Sequence, residues 1–360
     1  MVGGGVFGGC SAYELAKAGA DVVLIERDPI GTHASGRNPG NLNPLLAAPP
    51  GLREFALTSF RLHEALEREL SSLGCIPYGV EPVRRLLVCY KDDDREALAP
   101  IADLFIDTPG FAANWLDRDK IRKMDPRLAA DIESGLLLDG NRSLDARKFN
   151  HAVVDGAVKH GARLMTAEVR GITRHGSQGC SVYTDHGDVS CDALVLTTGP
   201  WVGATEDWLG LKLPVEPVKG EMLRVRLRGD NIAYDFTHGM ISLYRRVDRE
   251  IWIGVTREKC GFDEAPTPGA REHLLREAAR IMPSIAGAEV LEHLASLRPM
   301  APGGLPLIGP VPGLDRVYVA NGGGIKGMLT CAGVGRAIRD LVLGGRTDLP
   351  VDDFAPRGSE

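Results

Sequence analysis

The 360-residue sequence lacks several patterns that would point to particular classes of protein. Its seven cysteines stand singly with no C-x-x-C pair, which argues against a disulfide framework and against a zinc site or other metal centre. No apolar run approaches the roughly 20 residues of a membrane-spanning helix. The net charge of −6 argues against nucleic acid or an anionic membrane as the main partner. Because a glycine loop stands where a secretory signal would lie, we expect a cytoplasmic protein.

That glycine loop begins at the third residue and has the spacing G-x-G-x-x-G, with glycines at Gly3, Gly5 and Gly8. Gly3 permits a tight strand-to-helix turn, Gly5 lets the backbone approach a pyrophosphate, and Gly8 lets the helix pack close to the sheet. A short helix and then a buried strand over 21–26 are predicted to follow. Glu26 ends that strand, where a carboxylate accepts hydrogen bonds from ribose hydroxyls. The pattern predicts dinucleotide binding, and the alternative is an ordinary loop beside a solvent-facing Glu26.

The strand that should lead into the loop is nearly absent, because only Met1 and Val2 precede Gly3. Two residues are too few to replace the central strand of a parallel sheet. We therefore expect either a start codon placed too late or weak binding of the dinucleotide.

The length exceeds that of a usual single domain, so the sequence predicts two lobes. Glycines cluster near both ends of the chain, at 3–9, 31–40, 303–309 and 322–335. Such clusters are expected where a cofactor site is assembled from distant segments. After residue 214 the pattern changes to antiparallel strands, at 223–227, 241–244 and 251–255.

Periodicity and end signals predict the other regular elements. Helices are expected over 52–73, 145–161 and 269–282. Strands are expected over 83–90, 135–138, 163–169 and 192–199, with a hairpin around 185–187. The last of these strands ends in a small-residue turn that suits a segment passing beside a dinucleotide.

Six blocks, taken in order, resemble the D-amino acid oxidase, glycine oxidase and sarcosine oxidase family of FAD proteins. They are the glycine loop with Glu26-Arg27, and residues 34–40, 196–201, 217–222, 297–309 and 320–327. Each block alone is weak evidence for this family, whereas the presence of all six in this order along nearly the whole chain is specific to it. The resemblance implies an α/β, two-lobed fold. A Rossmann-like FAD-binding lobe with a parallel sheet would comprise 1–75, 140–215 and 295–360, and a substrate lobe with a large antiparallel sheet would comprise 76–139 and 216–294.

The resemblance also implies oxidation of the C–N bond of a small amino acid or secondary amine. Hydride would pass to flavin N5, the imine would hydrolyse to an oxo acid, and electrons would pass to O2. Because the cofactor carries this chemistry, no acid–base dyad is required, and none is visible. No cysteine falls where the covalently flavinylated members carry theirs, so we expect non-covalent FAD.

Three alternatives to this oxidase stay open. One is a dehydrogenase subunit that passes electrons to a quinone or a partner chain. Another is a non-catalytic flavin-fold protein, and an NAD-dependent dehydrogenase would leave the last glycine block unexplained. The sequence does not decide between a homo-oligomer and a chain with an electron-accepting partner subunit.

The residues expected to contact FAD lie mostly in these blocks. They are Gly3, Gly5, Val6, Phe7, Gly8, Glu26, Arg27, Ser35, Asn38, Gly40, Val169, Thr198, Gly199, Trp201, Gly322, Gly324, Ile325, Lys326, Gly327 and Met328. A helix N-terminus after Gly327 would supply positive potential near flavin N1 and the C2 carbonyl. Gly323 stands where the family often has histidine, which would leave more room above the ring.

Three residues are expected to bind and orient the substrate. A lysine at the place of Lys326 holds the substrate carboxylate in sarcosine oxidase-like members, and the alternative is a solvated lysine. Arg298, expected in a loop, is the second cation, and the alternative is a structural arginine between the lobes. Tyr244 would stack over or hydrogen-bond the amino acid. Ser242 competes with it for the inward position, and a core tyrosine is the alternative.

Overall fold

The computed structural model describes residues 1–247 and 249–356. Its α-helices are α1 (Val6–Lys17), α2 (Arg53–Ser72), α3 (Asp92–Ile106), α4 (Arg118–Met124), α5 (Ala146–Lys159), α6 (Ala204–Leu209), α7 (Pro268–Ile281) and α8 (Gly327–Gly344). Its strands are β1 (Val23–Glu26), β2 (Asn41–Leu42), β3 (Glu81–Cys89), β4 (Ala112–Asp117), β5 (Ser134–Ser143), β6 (Arg163–Thr166), β7 (Val169–Arg174), β8 (Cys180–Thr184), β9 (Val189–Cys191), β10 (Leu194–Leu196), β11 (Glu216–Arg226), β12 (Asp235–His238), β13 (Ile241–Arg245), β14 (Glu250–Gly254), β15 (Glu289–Met300), β16 (Leu307–Pro310) and β17 (Val317–Asn321).

The chain divides into two compact units. The first unit comprises Met1–Gly79, Leu144–Val218 and Leu297–Glu360, and the second comprises Val80–Ser143 and Lys219–Ser296. The predicted FAD-binding lobe was drawn at 1–75, 140–215 and 295–360. Because compact packing does not identify what each unit binds, that assignment of lobes stays a prediction.

A mainly parallel sheet forms the centre of the first unit. Strand β6 pairs with β1 and β10 pairs with β17, both in parallel, while β16 runs antiparallel to β17. Val2 lies between β1 and β10 and forms parallel bridges to Ile25 and Leu196. The central strand is therefore as short as the sequence predicts, and its backbone still joins the two halves of the sheet.

Helix α1 packs against both α5 and α8 in the same unit, and α2 packs against α8. Helix α1 begins directly after the glycine loop. Ten of its twelve residues are buried, among them Phe7, Cys10, Tyr13 and Leu15, so the helix is enclosed on nearly all sides. A small antiparallel sheet of β7, β8 and β9 completes the regular structure of this unit.

The second unit is built on a large sheet in which β11, β14, β13, β12, β3 and β5 are neighbours in that order. All of these pairs are antiparallel except that of β12 with β3. Helix α7 covers this sheet with Leu274, Ala278 and Ile281, which share an apolar cluster with Leu243 and Ile253. The predicted antiparallel sheet is confirmed.

Most predicted elements lie within a few residues of observed ones, and two differ. The strand expected over 163–169 is two strands, β6 and β7, with a break between them. The family resemblance placed Arg298, with Pro299 after it, in a loop, but both residues lie in β15. Strand β15 is at the edge of its sheet, where a proline removes no ladder hydrogen bond, so the expected loop is wrong.

Candidate functional site

Close backbone contacts determine the shape of the glycine loop. Gly3 has a φ of 107°, and a β-carbon there would lie 2.3 Å from Thr197 O. A β-carbon on Gly8 would lie 1.9 Å from Gly3 O. Thr197 Oγ1 donates to Gly3 O at 2.7 Å. The sequence analysis named Thr198 as an FAD contact and did not anticipate this role of Thr197, although a hydroxyl at the end of a strand beside the loop was a usable signal.

The N-terminus of α1 presents backbone amides. Val6 N donates to Ser35 Oγ at 3.0 Å, so Ser35 caps the helix. In the part of the chain that the structure describes, the amides of Phe7 and Gly8 have no hydrogen-bond partner. Unpartnered amides at a helix N-terminus bind phosphate well, because both their N–H groups and the helix dipole favour an anion.

The polar loop after β1 is held by its own side chains. Asn38 Nδ2 donates to Ala34 O and Ser35 O, each at 2.9 Å. Asn38 Oδ1 accepts from Gly40 N at 2.9 Å. A β-carbon on Gly40 would lie 1.9 Å from Leu144 O. Asn38 and Gly40 thus shape the loop that places Ser35 at α1.

Glu26 lies at the end of β1, beside the glycine loop. Its carboxylate accepts from Gly4 N at 2.6 Å and from Asp28 N at 3.0 Å. Two backbone amides orient this carboxylate, and each of its oxygens has further acceptor capacity. The position fits a contact with a ribose. Because two backbone amides bind its carboxylate, Glu26 is not simply a solvent-facing residue at the end of a strand.

Aromatic and charged side chains gather next to Glu26. The Arg27 guanidinium lies 4.4 Å from the centre of the Trp201 ring, and His33 meets the same ring edge-on at 4.5 Å. His33 Nε2 lies 2.9 Å from Asp28 Oδ2, and this hydrogen bond lowers the pKa of Asp28. Arg27 and Trp201, both predicted contacts, are therefore brought together.

The first and last glycine blocks meet at Phe7. A β-carbon on Gly323 would lie 2.9 Å from Phe7 Cζ and 2.9 Å from Gly327 Cα. The absence of a histidine at Gly323 therefore opens no space, which corrects the expectation of more room there. Phe7, which belongs to the glycine loop, fills that position and sets the start of α1 beside the start of α8.

The last glycine block turns sharply before α8. Gly322 and Gly324 have φ of 72° and 52°. Ile325 is exposed, whereas Met328 is buried. The turn ends at Lys326, the N-cap of α8.

Lys326 is not a solvated lysine. Its ammonium donates to Asn43 O at 2.8 Å and to Leu46 O at 2.6 Å, and the side chain is half-buried. It therefore ties the segment around residues 43–46 to the start of α8. Its role towards a substrate carboxylate stays a prediction.

The other two expected substrate residues lie in different units. Arg298 is half-buried in the part of β15 that belongs to the first unit. Tyr244 belongs to the second unit and is 8% exposed, with the Arg85 guanidinium 5.2 Å from its ring centre. Ser242 lies on the same face of β13 and is also buried. The roles of Arg298 and Tyr244 stay predictions.

The remaining predicted FAD contacts are in the first unit. Val169 begins β7 and packs against the apolar cluster around Val2. Thr198 Oγ1 accepts from Asn321 Nδ2 at 3.5 Å. Gly199 follows with a φ of 58°.

The family model for FAD dependent oxidoreductases, DAO, matches residues 1–341. The chain belongs to this family. A glycine oxidase of Pseudomonas aeruginosa is 31% identical over 99% of this chain and 98% of its own length. A glycine oxidase of Bacillus licheniformis is 28% identical, over 96% of this chain and 92% of its own. The crystal structure of glycine oxidase from Geobacillus kaustophilus has a TM-score of 0.92 and 27% identity, covering 100% of this chain and 98% of that one.

These similarities confirm the predicted fold class, the use of FAD and an oxidoreductase that acts on amino acids or amines. The structure fits the cofactor for two reasons. Its glycine loop has positions where a β-carbon would collide with backbone, and the amides at the start of α1 have no hydrogen-bond partner among the described residues. Among the described residues, no helix combines the length and apolar character needed to cross a bilayer.

Proposed function

We propose that this chain oxidises a small amino acid or secondary amine that carries a carboxylate, and that O2 accepts the electrons. The observation that supports this most directly is the meeting of the first and last glycine blocks at Phe7 and Gly323. It sets two helix N-termini and Lys326 together in one unit. Full-length similarity to glycine oxidases supports the same reaction class and does not favour a dehydrogenase subunit or a non-catalytic protein.

Bound FAD would supply the redox chemistry, as the acceptor of the substrate's hydride. The protein's own contribution is position and charge. The amides of Phe7 and Gly8 would hold the pyrophosphate, and Glu26 would accept hydrogen bonds from a ribose. The first amides of α8 would supply positive potential to the reduced ring.

Lys326 and Arg298 would attract the substrate carboxylate. An ammonium bound by two carbonyls keeps its full positive charge, because carbonyl oxygens stabilise a cation without neutralising it. The same two hydrogen bonds limit the positions that Lys326 Nζ can take. Lys326 would therefore act from a defined place, and Arg298 would supply the planar, two-pronged donor that suits a carboxylate.

A substrate panel with anaerobic mixing tests this function. We expect glycine, sarcosine or a D-amino acid to bleach the flavin absorbance, and admission of air to restore it with formation of hydrogen peroxide. A flavin that is reduced but stays so for minutes in air would favour a dehydrogenase with another acceptor. Protein that is colourless and cannot be reconstituted with FAD would overturn the proposal. A homo-oligomer or an electron-accepting partner subunit stays a prediction that gel filtration and pull-down with this protein would test.

A further inference from the structure

The ammonium of Lys326 is held by a short turn that begins at Asn43. Two of its acceptors are backbone carbonyls of that turn, Asn43 O at 2.8 Å and Leu46 O at 2.6 Å. The turn and Lys326 both belong to the first unit. The directions of these two carbonyls depend on the conformation of residues 43–46, which we call the lysine-binding turn.

The side chain of Asn43 shapes the lysine-binding turn. Asn43 is 5% exposed, and its Oδ1 accepts from Leu45 N at 3.2 Å and from Leu46 N at 2.9 Å. Pro44 follows Asn43, with a fixed φ and no N–H of its own. An asparagine that accepts from backbone amides a few residues later, followed by a proline, favours a turn strongly.

The hydrogen bonds of Asn43 also decide which carbonyl is available to Lys326. In an ordinary β-turn the carbonyl oxygen of the first residue accepts from the N–H of the fourth. Here Leu46 N donates to Asn43 Oδ1 instead, and among the described residues no backbone hydrogen bond joins Leu46 N to Asn43 O. The Asn43 carbonyl is thereby left to accept from Lys326 Nζ.

The second acceptor, Leu46 O, lies next to a residue with an uncommon backbone conformation. Ala47 has a φ of 56°, in the left-handed region that residues other than glycine seldom adopt. Such a conformation persists only where the surrounding structure holds it. The turn is held just before Ala47 by Leu45, which is 2% exposed, and by the two bonds to Asn43 Oδ1. The direction of Leu46 O is therefore fixed by the turn.

We propose that Asn43 is a positioning residue for the substrate carboxylate and acts through Lys326. This inference rests on the proposed function, in which Lys326 attracts that carboxylate. Two fixed carbonyls set the place of Lys326 Nζ, and a hydrogen bond weakens steeply when its geometry is lost. Without Asn43 Oδ1, two backbone amides lose their acceptor and the turn can relax. Lys326 would then keep its charge but lose its fixed position.

The test measures the Kd for acetate, a carboxylate with no amine to oxidise, through its effect on the absorbance of FAD in the loaded protein. Asn43→Leu removes the acceptor and keeps a similar volume. We expect it to raise the Kd for acetate and the substrate KM by about two- to tenfold, as for the loss of one ordinary hydrogen bond, with FAD still bound. Asn43→Ser keeps a neutral oxygen that can accept from the same amides, so it should stay closer to the wild type.

Asn231→Leu is the matched control. Asn231 lies in the second unit, where its Oδ1 accepts from Ile232 N at 3.0 Å. The control therefore also removes a bond between an asparagine side chain and the backbone, and it should leave the Kd for acetate and the KM unchanged. Thermal unfolding shows whether the two variants are equally well folded. If Asn43→Leu does not fold, Asn43→Gly removes the same acceptor with a residue that suits a turn, and the same increase is expected.

A double variant separates positioning from a general loss of structure. In the Lys326→Met protein the cation is already gone, so adding Asn43→Leu should raise the Kd for acetate no further. The inference is overturned if Asn43→Leu binds acetate like the wild type, or if its effect is equally large in the Lys326→Met background. Either result leaves the proposed function standing when Lys326→Met alone weakens binding. If Lys326→Met binds acetate and substrate like the wild type, the carboxylate-binding role of Lys326 fails, and the role of Asn43 fails with it.

Discussion

Replacing Gly8 by alanine tests whether the glycine loop has the geometry that FAD requires. The added β-carbon would lie 1.9 Å from Gly3 O and 2.7 Å from Thr197 Oγ1. Non-bonded heavy atoms settle at about 3.5 Å, so the backbone would have to move by about 1.5 Å. The obstacle is a carbonyl in a neighbouring turn, which has no rotamer to adopt.

The cost can be bounded. Overpacking of this kind costs about 1–3 kcal/mol, and alanine recovers up to about 1 kcal/mol through helix propensity. Because the added β-carbon meets backbone, Gly8→Ala should lie at the upper end of this range of overpacking costs. We therefore expect a net loss of about 1–2 kcal/mol in the free energy of unfolding. Since the shift separates Gly3 from Thr197, FAD affinity should fall by about tenfold for each 1.4 kcal/mol lost at the loop.

The same substitution at Gly269 is the matched control. Gly269 lies in the first turn of α7, and a β-carbon there would have no atom within 4 Å. Gly269→Ala should therefore stabilise the protein by about 0.5–1 kcal/mol. Fluorescence titration of the apoprotein with FAD and thermal unfolding measure both effects. If Gly8→Ala binds FAD and unfolds like wild type, the loop geometry argued here is refuted.

Lys326→Met should raise the substrate KM by at least about tenfold with FAD still bound, because the cation that attracts the carboxylate is lost. Lys212→Met, which removes an exposed lysine, is the control. Equal KM values for Lys326→Met and the wild type would exclude the role of Lys326. Phe7→Ala removes a buried ring beside Gly323 and should cost about 3–5 kcal/mol in stability and weaken FAD binding, whereas Phe7→Leu should retain most of both. Burial lowers the pKa of His293 from its ordinary value of 6.5. As the pH falls below 6.5, the folded state therefore binds fewer protons than the unfolded state. Stability should therefore fall as the pH drops below about 6.5, and His293→Gln should flatten that slope in urea unfolding.

Local patterns were sufficient for much of the fold. The spacing of Gly3, Gly5 and Gly8 predicted the start of α1, and amphipathic periodicity predicted α2 and α7 within a residue or two. These features depend on neighbours within a few positions. The order of the glycine blocks then indicated a cofactor site built from both ends of the chain.

The side-chain contacts of the site could not be predicted in that way. Ser35 caps Val6, and Lys326 binds the carbonyls of Asn43 and Leu46, across 29 and more than 200 positions of sequence. Residue type does not indicate which backbone carbonyl will accept a hydrogen bond, because every residue has a carbonyl. The sequence therefore indicated that Lys326 is placed near the cofactor, and only the structure shows what its ammonium binds.

The short central strand joins both halves of the sheet through its backbone. Successive residues of a strand direct their N–H and C=O groups to opposite neighbours. Met1 O and Gly3 N bond to Ile25 on one side, at 2.9 and 2.8 Å. On the other side Val2 N donates to Val195 O in β10 at 3.0 Å, and Val2 O accepts from Thr197 N, just after β10, at 2.8 Å. Four backbone hydrogen bonds thus hold residues 1–3 between the two halves of the sheet. The bridging residue, Val2, has a buried side chain that joins the apolar cluster with residues of β1 and β10. Because Gly3 follows at once, the glycine loop is positioned from both halves of the sheet, and its placement depends on these backbone bonds.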